Sequence, residues 1–584
     1  MNYRSIIAAA AAVISVLSCS RTLRDGDYTL TVLSTNDVHG TWFDSSYVND
    51  TQRQSLFAIN YYIDSVRTAD GFDNVLLVDA GDCLQGDNAA YYYNYVDTAS
   101  AHLFPRLLEY MRYDAVAVGN HDVETGHPVY DRVAADLRRA GADFLGGNAV
   151  RTDNGKPYFP LYKTVRKAGL KIAILGYTNA NIRAWISEDL FSGMDFVPIA
   201  DIIQRDVDFV RKKERPDVVV ATMHSACGLG DGTILEAEAL DALNSVRGVD
   251  FLVCGHDHRP YVETRDTCAL LNSGSHSRFV AHGKMHIRVE SGKVVSKSFE
   301  SDLIPVDAKK ADPVMREAFR KDFEAVKSFS TRVIGSLDID LYTRDAYRGM
   351  CPYIDLVHTV SLRCKPAEIS FAAPLTYNGF IAKGPLAFND LFTLYPYENQ
   401  LYVVQMSGQQ IKDYLEVSYG KWIRTVESRR MDHILNIEAR DDSRTGQGGW
   451  SFVERSYNFD SAAGINYTVD VTKPFGERIV IASMADGTPF ELTRKYNVAM
   501  TSYRASGGGD LLRETGIGSE EVAELTVEKY PEIRSIMYDF LLEKGKISPE
   551  TVSDRSILGS WKFVPEAVAG PAMDRDMDLM FSKR

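Results

Sequence analysis

The chain has 584 residues, 45% of them hydrophobic and 25% charged, with a formal net charge of −14. That length exceeds one ordinary core and calls for two large domains or three smaller ones, and the composition is that of a folded protein, not a disordered or repetitive one. The acidic balance excludes broad capture of a nucleic-acid polymer, which needs surplus Lys and Arg, so an anionic substrate requires local help from metal ions or a few arginines.

In chain order, the opening stretch "MNYRSIIAAAAAVISVLSCS" places Arg4 ahead of an apolar run over 6–17 and small residues ending at Cys19. The run is well short of the roughly 20 residues a membrane span needs, so it reads as an export signal. Val16-Leu17-Ser18-Cys19 resembles a bacterial lipobox. That implies lipidation at Cys19 and a periplasmic or cell-surface protein held to the membrane only through its N-terminal lipid. No other segment is long and apolar enough to cross a bilayer. The remaining cysteines, Cys83, Cys227, Cys254, Cys268, Cys351 and Cys364, show no CxxC spacing and read as small buried hydrophobes.

Between Tyr28 and Glu290 an apolar or β-branched run repeatedly gives way to a polar tip: "STNDVHG" (34–40), "DAGDCLQG" (79–86), "VGNHDVETG" (118–126), "TMHSACG" (222–228) and "CGHDH" (254–258). Helix-like stretches at 133–140 and 202–213 fall between them, which is the pattern of an α/β domain with its site at the strand ends. Asp37 and His39 are two apart, as are His256 and His258, so extended chain turns each pair to one side. With Asp82, Asn120 and His224 they supply seven oxygen or nitrogen ligands. These suffice for two divalent ions if Asp82 bridges them, giving one oxygen to each. Imidazole, carboxylate and amide without thiolate suit Zn, Mn, Co or Fe.

Residues 310–332 lose the strand pattern and read as a charged linker helix. "VIGSLDIDL" then restarts alternation and leads into a region rich in aromatics, where Tyr457 opens "YNFDSAAGINY" and Tyr503 precedes "RASGGGD".

Taken in order, "NDVHG", "GDCLQG", "GNHD", "MHS" and "GHDH" resemble the blocks of the calcineurin-like metallophosphoesterases. More narrowly they resemble the two-domain 5'-nucleotidase family, which includes the 2',3'-cyclic-nucleotide phosphodiesterase/3'-nucleotidases. The resemblance covers 28–545. It implies an α/β architecture: a leader and lipobox over 1–19, a four-layer metallophosphoesterase β-sandwich flanked by helices over 27–309, and a linker helix acting as hinge over 310–332. An α+β substrate-binding domain over 333–548 and a C-terminal tail over 549–584 complete it.

The same resemblance assigns one ion to Asp37, His39, Asp82 and His258, and the other to Asp82, Asn120, His224 and His256. His121 then stabilises charge on the phosphoryl oxygens while a water activated by the ions attacks phosphorus in line. Three residues after His121 the family carries Asp in one branch and Asn in the other. This chain has Glu124, either a longer-armed partner of His121 or an exposed loop acid, and Asp122 is expected to hold the loop. Tyr457 and Tyr503 imply a nucleobase sandwiched between two rings, and tyrosine at both places favours the cyclic-phosphodiesterase branch. "FAAPLTYNGF" (371–380) lacks the arginine of both branches, which leaves Asn378, Gly379, Lys383 or Arg504 for the substrate phosphate. The function implied is hydrolysis of small-molecule nucleotide esters by a monomer, leaning to 2',3'-cyclic and 3'-nucleotides over 5'-nucleotides and nucleotide sugars. A nucleotide-binding lipoprotein with weakened chemistry is the alternative.

Overall fold

The computed structural model describes residues 23–426, 433–440 and 449–582, so Cys19 and the lipobox lie outside the described residues. Strand alternation builds the first domain. Leu30 and Val32 of strand Gly26–Thr35 face one core while Leu33 faces another, and Leu76 and Val78 alternate with Val75 and Leu77 in the same way. Ile172 and Ile174 face inward while Ala173 and Leu175 face outward, as do Val218 and Val220 against Val219 and Ala221. Strands buried on both faces read as continuous apolar runs, which is why these segments showed little polar alternation.

Two six-stranded sheets result. One runs in the order Lys293–Pro305, Phe279–Glu290, Gly26–Thr35, Val75–Asp79, Ala115–Ala117, Phe144–Leu145. The other runs Tyr261–Thr264, Ala269–Asn272, Phe251–Val253, Val218–Met223, Leu170–Tyr177, Tyr162–Lys167. The four strands from Gly26–Thr35 to Phe144–Leu145 are mutually parallel, as are the four from Ala269–Asn272 to Leu170–Tyr177. The sheets share an apolar core. Helices Leu56–Asp70, Leu103–Met111 and His127–Arg139 cover the outside of the first, and Ile199–Glu214 and Ala239–Ser245 the outside of the second. The four layers expected from the sequence are present.

The segment 310–332 is two short helices, Pro313–Ala318 and Arg320–Ser330, with Phe319 between them. Met315, Phe319 and Val326 bury into the first domain's core, and Asp322 accepts bonds from Arg106 and from the Tyr93 hydroxyl at 2.6 and 2.7 Å. This linker is therefore fastened to the first domain, and only its end, at Phe329, joins the second domain's core.

The second domain carries a five-stranded sheet in the order Ser461–Ala463, Ile369–Ala372, Lys495–Thr501, Gln400–Ser407, Thr526–Glu532, with helices Pro352–Leu362 and Gly408–Trp422 against it. Beyond 548 the chain does not trail off. Strand Trp561–Val564 pairs parallel with Ile465–Asp470, and Trp561, Phe563 and Met573 bury in that domain's core. The segment set apart as a tail is structural, and the alternation in "WKFV" is its cause.

Candidate metal centre and the cavity beside it

Every polar tip follows the carboxyl end of a parallel strand, so both sheets deliver their tips to one rim. Thirteen non-glycine residues have positive φ among the described residues, and Asp37, His39, Asp82, His256 and His258 are five of them. Such conformations cost about 1–3 kcal/mol each and persist where the surroundings over-determine them. Close backbone approach adds a second constraint: a Cβ on Gly119 would fall 2.1 Å from Asp82 Oδ1, and one on Gly255 2.6 Å from Asp37 Oδ2.

Asp122 ties the loops together. Its carboxylate, fully buried, accepts N–H bonds from Gly119 (2.8 Å) and from Asp82, Cys83 and Leu84 (each 2.9 Å). The loop-holding role expected of this residue is thus built from four backbone donors. Asn36 does similar work opposite, donating to Asp37 Oδ2 at 2.6 Å and to Gly274 O at 2.6 Å while accepting from Ser273 N.

Two ligand groups converge. Asp37, His39 and His258 form one, and Asp82, His224 and His256 the other. His39 Nε2 and His258 Nε2 lie 2.9 Å apart, His256 Nδ1 and Asn120 Oδ1 3.0 Å apart. The rings of His39 and His224 turn Nδ1 toward backbone carbonyls of Gln85 and Ala80, at 3.3 and 2.8 Å, which leaves Nε2 pointing inward. Asp37 Oδ1 and His224 Nε2 are buried without a hydrogen-bond partner among the described residues, the latter 3.0 Å from Asp82 Oδ2 but outside hydrogen-bond geometry. Buried polar atoms left unpaired among two carboxylates and four imidazoles fit divalent cations.

The electrostatics divide: burial opposes charge on His224, but the Asp82 carboxylate outweighs it and raises that ring to about 10, while Asp37, Asp82, His39 and His256 lie in the ligand form. Burial disfavours charge on Asp37 and Asp82, yet the surrounding histidines hold both carboxyls below the usual range. Burial and the neighbouring His258 keep His39 well below an ordinary imidazole, and burial with His224 lowers His256 to about 3, so both rings are neutral and able to donate lone pairs.

His121 stands apart from these groups. Its Nδ1 meets Glu124 Oε2 at 2.6 Å, and that oxygen also accepts from Gln85 Nε2 at 2.9 Å. Of the two readings open for Glu124, the structure takes the partner of His121. Burial opposes charge on this ring, but the Asp82 and Glu124 carboxylates outweigh it and raise it to about 9.

Two residues escaped the sequence reading. His276 follows strand Ala269–Asn272 and packs its ring 5.2 Å from His39 and 5.8 Å from His258, while its N–H bonds Asp37 O. It sits on a sixth tip, "NSGSHS", that obeys the same strand-then-polar rule. Trp185 stacks on His256 at 5.1 Å and 21°, on a loop with no such signal.

Trp185 opens onto a cavity of about 490 Å³ lined by Asn181 and Glu236 from the first domain and by Tyr503, Gly507 to Gly509 and Arg513 from the second. Tyr457 and Tyr503 are brought together, but edge to face, 6.3 Å apart at 89°, so the parallel pair expected from the sequence is not present in this arrangement. Arg504 is not available to a phosphate. It is buried, paired with Asp460 at 3.0 Å, and bonded to Asn458, Gly508 O and Tyr457 O, so it builds the tyrosine loop instead. Gly379 gives its N–H to Thr343 Oγ1 at 2.6 Å, and Asn378 and Lys383 are exposed without a described contact to the metal-ligand residues. The six cysteines described are unbonded and five are buried; Cys227 and Cys254 lie 3.8 Å apart.

Comparison with known proteins places these features in a family. Residues 30–260 match the calcineurin-like phosphoesterase model, and residues 333–513 the model of the 5'-nucleotidase C-terminal domain. The chain is 25% identical over 97% of its length to a 2',3'-cyclic-nucleotide 2'-phosphodiesterase/3'-nucleotidase of Haemophilus influenzae, 92% of which is covered. It is 23% identical over 80% of its length to a 5'-nucleotidase of Vibrio parahaemolyticus, 91% of which is covered. In three dimensions it overlays a putative 5'-nucleotidase from Staphylococcus aureus with a TM-score of 0.73 at 20% identity, covering 92% of this chain and 99% of that one.

Proposed function

We propose that this chain, which carries a calcineurin-like phosphoesterase domain followed by a 5'-nucleotidase C-terminal domain, is a metal-dependent hydrolase of nucleotide phosphate esters, leaning to 2',3'-cyclic and 3'-nucleotides. The observation that carries this reading is the convergence of six carboxylate and imidazole groups, with Asn120 against one of them, beside His121, which lies outside both groups. Asp37, His39, Asp82 and His258 would hold one divalent ion, and Asp82, Asn120, His224 and His256 a second. When bound, such ions supply Lewis-acid charge and lower the pKa of water.

The protein's own part is positioning and charge. Glu124 occupies Nδ1 of His121, which leaves Nε2 to donate to a phosphoryl oxygen, and the two carboxylates beside it favour the charged ring. Asp122 and Gly119 hold Asp82 and His121 on one rigid frame, so little reorganisation accompanies the reaction. The cavity beside Trp185 has the size of a small-molecule site and an aromatic wall in Tyr503 on which a base can stack.

The second reading, a 5'-nucleotidase, is favoured by the Vibrio relative. Phosphate release by purified, metal-supplemented protein from 2',3'-cyclic, 3'- and 5'-nucleotides and a nucleotide sugar separates the two. Highest kcat/KM on the cyclic or 3' esters supports the first reading, and on 5'-monophosphates the second.

Export with lipidation at Cys19 belongs to this proposal. It rests on the lipobox, and no helix among the described residues is long and apolar enough to cross a membrane. Cys19→Ser should free the protein from the membrane fraction of a bacterial host. A wild-type chain found wholly in the soluble fraction would overturn the anchor.

A further inference from the structure

The cavity beside Trp185 carries a carboxylate, Glu236, in its wall. Glu236 lies twelve residues after His224, and its backbone is pinned: its carbonyl accepts from Ala226 N (3.0 Å), Ser225 Oγ (3.2 Å) and Asn179 Nδ2 (3.1 Å). Its side chain is half-buried and lines the same cavity as Tyr503 and Trp185. One oxygen, Oε2, takes only a long 3.5 Å bond from Asn181, and Oε1 takes none among the described residues. The carboxylate therefore offers two acceptors and makes one weak bond, in a cavity whose lining includes Tyr503 from the other domain. Its proximity to Tyr457 and Tyr503 is felt electrostatically: burial first, and Glu236 among the nearby charges, raise both phenols.

Two features exclude the phosphate from this end. Glu236 is the one acidic side chain on the wall without a cationic partner among the described residues, and the positive guanidinium of Arg513 is taken up by Asp510 at 3.1 Å. The phosphate belongs on the Trp185 side, toward His256. What remains for Glu236 is the base.

We propose that Glu236 selects guanine nucleotides by accepting two hydrogen bonds from the Watson–Crick edge of the base. This rests on the nucleotide reading given above. A carboxylate needs two adjacent donors, and among the common bases only guanine supplies them, as N1–H beside the N2 amine. Adenine and cytosine set one amine beside a lone-pair nitrogen, and uracil sets one N–H between two carbonyls. Each of these leaves at least one carboxylate oxygen facing a lone pair or unpaired. A site built around such bonds discriminates, because the wrong base leaves a half-buried carboxylate oxygen unpaired. Stacking on Tyr503 holds any base, and Glu236 decides which.

The test compares kcat/KM on guanosine, inosine and adenosine esters of one phosphate position, with bis(p-nitrophenyl) phosphate as a base-free reference, using the full metal-loaded protein. Wild type should prefer guanosine to adenosine at least tenfold, with inosine, which keeps N1–H and lacks the N2 amine, between them. Glu236→Gln should lower the guanosine-to-nitrophenyl ratio at least tenfold and move the preference toward adenosine, since an amide pairs a donor and an acceptor with adenine. Nucleotide hydrolysis with equal rates on the three bases, in wild type, overturns the inference while leaving the nucleotide reading in place. Hydrolysis of the nitrophenyl ester with no nucleotide turned over overturns both. The inosine comparison needs no substitution and so does not depend on how the variant folds.

Discussion

Asp122→Asn tests whether one buried carboxylate organises the centre. Asp122 accepts four backbone N–H bonds, two on each oxygen: Cys83 and Leu84 on Oδ1, Gly119 and Asp82 on Oδ2. Asparagine keeps one oxygen and turns an NH₂ toward the other two donors, whichever way the amide is flipped. Two buried N–H groups then lose their acceptor. At about 1.5–3 kcal/mol for a hydrogen bond to a charged group, the loss is about 3–6 kcal/mol, and it falls on the loops that carry Asp82, Asn120 and His121. Thermal unfolding of purified variant and wild type measures the stability. Metal analysis and phosphate release measure whether the ligands stay in place. The expected result is a lower unfolding temperature with loss of metal and activity together. A variant within about 1 kcal/mol of wild type with full metal content would refute the argument, because the four bonds would then be incidental.

Three further outcomes follow from particular side chains. His121→Ala removes no ligand, so both ions should remain by metal analysis while turnover falls about 100-fold or more, the effect of losing one electrostatic stabiliser worth about 2.7–4 kcal/mol; loss of metal would mean that His121 is a ligand. Gly119→Ala places a methyl group on Asp82 Oδ1 and should release metal without unfolding the second domain, as read by metal content and limited proteolysis. Glu532, whose Oε2 is buried without a partner among the described residues, is pushed up to about 8 by burial and then by Glu398. Its folded pKa lies above the ordinary 4.5, so its contribution is full below pH 4.5 and is lost as pH rises toward about 8. Glu532→Gln should therefore flatten the fall in unfolding temperature between pH 5 and 8, and an unchanged slope would contradict the assignment.

The candidate metal ligands were legible because each lies a few residues after an apolar strand, so local chain order carried the signal. His276 obeys the same rule on "NSGSHS", a signal present in the sequence that the reading passed over. Trp185 and Glu236 did not. They sit on loops between elements, and only the packing of one domain against the other gives them a cavity to line. The assignment of Arg504 to a phosphate failed for a related reason: its partner Asp460 is 44 residues away, and nothing local announces a buried ion pair. The tyrosines were found by motif, but their mutual angle is set by the Arg504 scaffold, which no spacing encodes. The C-terminal strand was visible in the alternation of Trp561, Lys562, Phe563 and Val564, yet its partner, Ile465–Asp470, lies almost a hundred residues earlier.

The most direct test of the central claim is a metal titration followed by activity. Protein stripped with a chelator should release no phosphate from nucleotides. Adding back Mn, Zn, Co or Fe ions should restore release, with a break at two ions per chain in wild type and loss of that second equivalent in Asp82→Asn. Phosphate release that survives stripping, or that no divalent ion restores, would contradict the account.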